Sequence, residues 1–289
     1  MKKDSNSVPN KHSFEIPQKY ITTGKFLQFI STGLASDYCL KLFSTPPQFK
    51  IPEREAMMQK SAKNELVLIP GIEKKVMTYT YGYSKTKVLL AHGWAGRGTQ
   101  MYEIADKLLE SGMMVITFDA PAHGLSEGKT TNLVEYLACI AHINEIFGPF
   151  EAAIGHSFGG IALIAAQAEQ HLFNKLIVIG TESSINSIID EFVKKLSLKQ
   201  KVAEKMKAGI SKRLHVNAES YASDERAKKV AIPTLVVHDT EDVDVDVSCA
   251  FKIRQNLEKG LLMLTNGLGH RRILRDPALI FRIIDFIKE

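Results

Sequence analysis

The sequence predicts an α/β architecture: a mostly parallel central sheet, helices on both faces and an inserted helical cap. Three observations predict it. Between Val88 and Leu264, short continuous apolar runs alternate with amphipathic helical stretches, the pattern of strands buried on both faces. One run, Ala152-Ala153-Ile154, leads into Gly155-His156-Ser157-Phe158-Gly159-Gly160 and out into the small-residue helical run from Ile161 to Ala166, so a G-x-S-x-G sequence stands in a strand, sharp turn, helix context. The connection between Ile179 and Thr234 is far longer than the dozen or so residues a plain crossover needs, and it carries two apolar stripes at helical spacing.

The chain has 289 residues, 45% hydrophobic and 24% charged, enough to bury a substantial core. A net charge of +5 without a dense Lys/Arg run argues against a nucleic-acid partner. Three cysteines, Cys39, Cys139 and Cys249, form no C-x-x-C pair, which disfavours a disulfide framework or a zinc site and fits a reducing, cytoplasmic setting. The first nineteen residues lack the apolar core of a signal peptide, and no stretch approaches the roughly 20 apolar residues that cross a bilayer.

In chain order, residues 1 to about 20 read as a polar tail. Ile21 to Phe43 predicts one helix with Phe26, Leu27, Ile30, Leu34 and Tyr38 near one face, ended by Pro46-Pro47. The expectation is that it packs on the body of the domain, with a flap over the pocket mouth or a membrane-surface contact as sharper alternatives. Leu66–Pro70 and Val76–Tyr81 predict a strand pair turning at Pro70-Gly71. Val88–Ala91, Met113–Phe118, Leu176–Ile179, Thr234–Val237 and Leu261–Leu264 predict further strands. Helices are expected around Met101–Leu109 and Leu133–Ile143, and a last one over Ile280–Ile287, capped by Asp276 with Pro277 in its first turn. The resulting division is 1–60 for the tail and amphipathic helix, 61–182 and 227–289 for the α/β core, and 183–226 for the cap.

A serine on such a turn is a nucleophile that needs a base, an orienter for the base and a site for an oxyanion. In open parallel sheets these should stand beyond the carboxyl ends of the strands. After Ala91, His92-Gly93-Trp94-Ala95-Gly96 can aim the Trp94 N–H at the space above Ser157, with the Phe158 N–H as second donor. After Phe118, Asp119 comes too early for the Ser, Asp, His chain order and is expected to hold its loop. After Val237, five carboxylates compete in His238-Asp239-Thr240-Glu241-Asp242-Val243-Asp244-Val245-Asp246. Asp242 is the first choice for the orienting acid and Asp239 the second, while a calcium loop lacks the required spacing and glycine. After Leu264, Gly267 and Gly269 free the backbone to present His270 as general base. Of nine histidines it alone follows the last strand. His12 falls in the tail, His142 and His171 on or beside helices, His215 in the cap and His156 at the unrestricted elbow position. His92, His123 and His238 are expected to hydrogen-bond loops. Ile188, Phe192 and Met206 are candidate pocket lining in the cap, which also carries Lys194, Lys195, Lys199, Lys201, Lys205, Lys207, Lys212 and Arg213. Those cations read as a solvated face, with a preference for anionic groups or surfaces as the sharper alternative.

With His92-Gly93-Trp94, Phe118 to Ser126, the Ser157 elbow, Asp242 and His270 in order, the chain resembles the alpha/beta-hydrolase fold family from about Lys87 to the C-terminus. Within it, the chain looks most like the serine aminopeptidase and monoacylglycerol-lipase-like branch. That branch commonly carries H-G-x-x-D-x-x-V-P around the acid, where this chain has Asp239 for the glycine and Asp246 for the proline. The resemblance implies acyl transfer through an acyl-Ser157 on a small-molecule ester or thioester, with no metal or organic cofactor. A peptidase removing small N-terminal residues is the second enzyme reading, and would need Asp190, Glu191 or Glu204 to hold a free amine. A non-catalytic ligand binder on the same fold is the third.

Overall fold

The computed structural model describes residues 15–214 and 217–289. Residues 1–14 of the expected tail, His12 among them, and His215 in the expected cap lie outside the described residues. The N-terminal helical stretch is two helices, α1 (Gln18–Ile30) and α2 (Thr32–Phe43). The predicted single helix is interrupted at Ser31, whose backbone is extended and whose hydroxyl accepts the Gly33 N–H at 3.1 Å. A serine that competes for a nearby backbone donor restarts a helix there instead of continuing it. A short helix α3 (Ala56–Ser61) follows.

The body then alternates as β1 (Lys63–Ile69), β2 (Lys74–Tyr81), β3 (Lys87–Ala91), α4 (Tyr102–Glu110), β4 (Met114–Phe118), α5 (Leu133–Phe147), β5 (Phe150–His156), α6 (Phe158–Gln170) and β6 (Phe173–Ile179). The long connection holds α7 (Ile185–Lys195), α8 (Gln200–Leu214) and α9 (Ser223–Ala227). The chain ends with β7 (Thr234–Asp239), α10 (Ser248–Asn256), β8 (Gly260–Thr265), α11 (Gly269–Arg272) and α12 (Pro277–Lys288). Asp276 caps α12 by accepting the Leu279 N–H at 2.8 Å, with Pro277 in the first turn.

The eight strands form one sheet in the order β1-β2-β4-β3-β5-β6-β7-β8. Only the β1–β2 and β2–β4 pairings are antiparallel. Successive side chains of a strand point to opposite faces, so each buried strand feeds two cores. Val88, Leu90, Ile154, Ile177 and Val237 pack with α4 and α12 on one side. Leu89, Ala91, Ala153, Val178 and Val236 pack with α5, α6 and α10 on the other.

A third core corrects the expectation that the first helix packs on the body. Ala35, Cys39 and Leu40 of α2 are buried against Ile189 and Val193 of α7 and Val202, Ala203 and Met206 of α8. Four helices thus pack together, two from the N-terminus and two from the long connection. Glu55, just before α3, ties this N-terminal segment to the sheet domain. Its carboxylate pairs with Arg97 at 2.6 and 2.9 Å and accepts the Thr99 hydroxyl at 2.8 Å, all buried.

Candidate active site

Ser157 lies between β5 and α6 with φ 52° and ψ −116°, a conformation that costs an L-residue on the order of 1–3 kcal/mol. It is held there by crowding that only glycine permits. A Cβ on Gly155 would stand 2.7 Å from the Gly159 carbonyl, and one on Gly159 would stand 2.1 Å from the Ala91 oxygen. The Ser157 N–H donates to Ile179 O at 2.8 Å, which fixes the turn to the end of β6.

His270 is the second residue of a short helix, α11, after β8. Its Nδ1 lies 2.7 Å from Asp242 Oδ2, and both side chains are almost fully buried. The other Asp242 oxygen accepts the N–H groups of Asp244 and Val245 at 2.8 and 3.0 Å. Asp242 is thus fixed at both oxygens, and its contact with His270 leaves the Nε2 side of that ring uncommitted to it. Asp239, the second choice, does another job. It accepts the Thr265 hydroxyl at 2.7 Å and the N–H groups of Gly269, Leu268 and Glu241 at 2.9–3.0 Å. Burial pushes its carboxyl up, but those donors outweigh burial and hold it below the usual carboxylate range. Asp239 therefore anchors the loop that carries His270.

His92, His123 and His238 brace the strand-end loops. His92 Nδ1–H donates to Gly93 O at 2.7 Å and its Nε2 accepts the Ala120 N–H at 3.0 Å. His123 Nδ1–H donates to Pro121 O at 3.0 Å, while its Nε2 accepts the Ala95 N–H at 3.1 Å. Each is thereby a neutral ring of defined tautomer. Burial, together with neighbouring His123, takes His92 well below its usual value, and burial pushes His123 down to about 4. His238 Nε2 donates to Val245 O at 3.0 Å behind Asp242. Asp119 holds its loop as expected: its carboxylate accepts Tyr79 Oη and the Gly98 and Leu125 N–H groups at 2.6–2.9 Å, and burial raises it in spite of them.

One contact went unread in the sequence. His156, the elbow residue that any side chain can occupy, donates Nε2–H to His270 O at 2.9 Å. It is pushed down to about 3, first by burial and then by the His270 ring, whose centroid is 4.7 Å away. The residue before Ser157 thus holds the backbone of the residue proposed as its base. Nothing in the spacing of the two along the chain signals it.

Ser157, His270, Trp94 and Phe158 line one cavity of about 640 Å³. Among the described residues, neither the Trp94 nor the Phe158 backbone N–H has an acceptor. Trp94 packs edge-on to Phe158 and His123 at 5.4 Å, and stacks on Phe43 of α2 at 6.5 Å. Phe43 in turn meets Phe192 of α7 edge-on at 5.2 Å. Ile188 and Phe192 line the cavity, as do Tyr20, Leu40 and Leu42 of the N-terminal helices. Met206 does not: it faces the four-helix seam, fully buried against α2 and α7. Its helical spacing was compatible with either face of α8, and the unforeseen α2 takes that face.

Asp242, Asp244 and His270 offer ligand atoms within 4.8 Å of one another. They fit a cation poorly, because both Asp242 oxygens already accept hydrogens from His270, Asp244 and Val245.

The family model described as alpha/beta hydrolase fold matches residues 86–214. A serine hydrolase-like protein of Dictyostelium discoideum is 32% identical over 115 residues, which span 38% of this chain and 32% of that protein. Among solved structures, an esterase from Exiguobacterium antarcticum is 17% identical with a TM-score of 0.62, covering 78% of this chain and 100% of that one. A membrane phospholipase A, 15% identical with a TM-score of 0.63, covers 94% of this chain and 98% of its own. A thioesterase domain from the curacin biosynthetic pathway, 15% identical with a TM-score of 0.58, covers 78% of this chain and 99% of its own. The chain has the alpha/beta-hydrolase fold, and the family resemblance drawn from its motifs holds at that level.

Proposed function

We propose that this protein is a serine hydrolase that cleaves a carboxylic ester or thioester through an acyl-Ser157 intermediate. The observation that carries the reading is the Asp242–His270 pair at 2.7 Å, with His270 lining the same cavity as the strained Ser157. In the proposed cycle, Ser157 Oγ attacks the acyl carbon as His270 Nε2 takes its proton, and Asp242 stabilises the imidazolium. The oxyanion is received by the Trp94 and Phe158 N–H groups; losing one such donor costs about 2.7–4 kcal/mol of transition-state stabilisation. His270 returns the proton to the departing alkoxide or thiolate. Water, deprotonated by the same nitrogen, then attacks the acyl carbon, and Ser157 leaves reprotonated.

The apolar wall formed by Leu40, Phe43, Trp94, Ile188 and Phe192 suits an acyl chain or another apolar substituent. The peptidase reading has less support. Asp190 is paired with Lys207 at 2.7 Å and Glu191 with Lys194 at 3.0 Å, and Glu204 is exposed and does not line the cavity, so none of the three is a ready partner for a free amine there. The esterase and thioesterase neighbours give the same direction by analogy of fold alone.

Labelling with a fluorophosphonate probe tests the reading. Ser157 labels in the wild type and Ser157→Ala does not. A panel of p-nitrophenyl esters beside aminoacyl-anilides then separates esterase from peptidase. A wild type that neither labels nor turns over any ester returns the protein to the binding reading.

A further inference from the structure

The outer surface of the four-helix cap carries an apolar corner that the site does not use. On α1, Phe26, Phe29 and Ile30 are 62%, 90% and 57% exposed, and Leu34, just past the Ser31 break, is 49% exposed. Residues at i, i+3 and i+4 share one helix face, so Phe26, Phe29 and Ile30 form one patch and not scattered exposures. The other face of the same helices lines the cavity through Tyr20, Leu40 and Phe43.

Lys25 shares a helix face with Phe29 at i, i+4, and further cations lie on the helices packed against α1 and α2. The Lys199 N–H donates to Gln28 at 2.6 Å, which sets the α7–α8 turn against α1. The Lys205 ammonium lies 3.8 Å from where a Cβ on Gly33 would stand, at the start of α2. Lys25, Lys199, Lys201 and Lys205 are exposed, and among the described residues none of them has an ion-pair partner. Residues 18–43 and 185–214 together hold eleven Lys or Arg against four Asp or Glu, an excess larger than the +5 of the whole chain. The positive charge of the protein is thus concentrated on the helices that expose these aromatic side chains. Exposed aromatic and aliphatic side chains on helices rich in lysine match an acyl–headgroup boundary carrying negative charge.

We propose that the α1–α2 corner, with the lysines of the α7–α8 turn, docks this protein on the surface of an anionic lipid bilayer. The contact is interfacial: among the described residues no helix is long and apolar enough to cross a membrane. Phe26, Phe29 and Ile30 enter the acyl boundary while Lys25, Lys199, Lys201 and Lys205 sit at headgroup level. The docking does not depend on the hydrolase reading. Taken with it, docking sets the cavity-lining helices against a source of apolar esters.

The test is flotation of the full chain with phosphatidylcholine vesicles, with and without phosphatidylserine. Binding is expected to the anionic vesicles only, and to weaken as salt is raised. Phe26→Ser with Phe29→Ser should lower it at least tenfold. Lys199→Gln with Lys205→Gln should lower it roughly twenty-five-fold, since a lysine near such a surface contributes roughly fivefold. Leu66→Ser with Leu68→Ser, which removes exposed apolar side chains of the edge strand β1, should change nothing. All variants should keep wild-type melting and wild-type turnover of a short, soluble ester. Equal binding to both vesicle types, no binding at all, or a concentration-dependent dimer that Phe29→Ser dissolves overturns the proposal. Vesicle binding by a wild type that lacks ester turnover leaves docking standing and removes the hydrolase reading.

Discussion

Replacing Asp242 with asparagine separates the two acids on the β7 loop. One oxygen of Asp242 accepts two N–H groups, from Asp244 and Val245. In Asp242→Asn, the amide oxygen must stay on those donors or leave both unsatisfied. That puts the NH2 where Oδ2 now receives the Nδ1 proton of His270 at 2.7 Å. Two donors then face each other, so His270 switches its proton to Nε2 and can no longer take one from Ser157. The expected loss is about 10⁴-fold in kcat, roughly 5.5 kcal/mol, at nearly unchanged KM and stability. Asp239→Asn should behave differently. Its carboxylate serves four donors, and an amide has one accepting oxygen. Leaving two of them unpaired at about 1–3 kcal/mol each should cost on the order of 4 kcal/mol of stability. The folded fraction should retain a far larger share of kcat than Asp242→Asn does. The assay is steady-state turnover of a soluble p-nitrophenyl ester beside urea unfolding for both variants. Retention of kcat within tenfold by Asp242→Asn, with a 10⁴-fold loss in Asp239→Asn at wild-type stability, would falsify the assignment of Asp242 as orienting acid.

Further outcomes follow from the same geometry. Ser157→Gly should abolish turnover yet raise the unfolding free energy by about 1–2 kcal/mol, because glycine tolerates φ 52° without strain; a melting temperature below wild type would show that the elbow is unstrained. Glu55→Ala strands the buried Arg97 charge and should cost about 3–5 kcal/mol, read by chemical denaturation. His92, His123 and His156 are held neutral by burial, so the unfolded chain takes up protons that the folded chain refuses. Their contribution is complete above the unfolded value of about 6.5 and is lost as pH falls, down to about 4 for His123 and about 3 for His156. His123→Asn should therefore remove about 1.4 kcal/mol per pH unit from the slope of stability between pH 4 and 6, and an unchanged slope in urea titrations would count against a buried neutral ring.

What the sequence revealed and what it hid divide along a physical line. The strands β3 to β7 were legible because a strand buried on both faces must be apolar throughout, whatever it packs against, and β8 because its run Leu261–Leu264 is apolar although it lies half exposed at the sheet edge. The elbow was legible because its turn admits only glycine two residues either side of Ser157, a restriction written in the chain itself. His270 and Asp242 were singled out from chain order, each on the loop after a predicted strand. The hidden features all depend on partners distant in sequence. The break at Ser31 needed its side chain to win the Gly33 N–H from a continuing helix, and α10 has too polar a composition to stand out between β7 and β8. The division of labour between Asp239 and Asp242 turned on which backbone donors the folded loop presents.

The N-terminal helices show why this matters for chemistry. Read locally, Ile21 to Phe43 is a helix with an apolar face, expected to pack on the body of the domain. In the fold, Phe26, Ile30 and Leu34 of that face stay exposed while Ala35, Cys39 and Leu40 of α2 meet α7 and α8, and Phe43 touches both Trp94, after β3, and Phe192 of α7. A residue from outside the span matched by the family model thereby packs on the two elements that would select the acyl group. Phe43→Ala should then shift ester chain-length preference and KM, while leaving fluorophosphonate labelling of Ser157 intact, since Phe43 touches no group that moves a proton. If labelling and turnover of every ester fell together, Phe43 would be holding the oxyanion turn in place instead of shaping the pocket, and the N-terminal helices would belong to the catalytic scaffold instead of to the specificity wall.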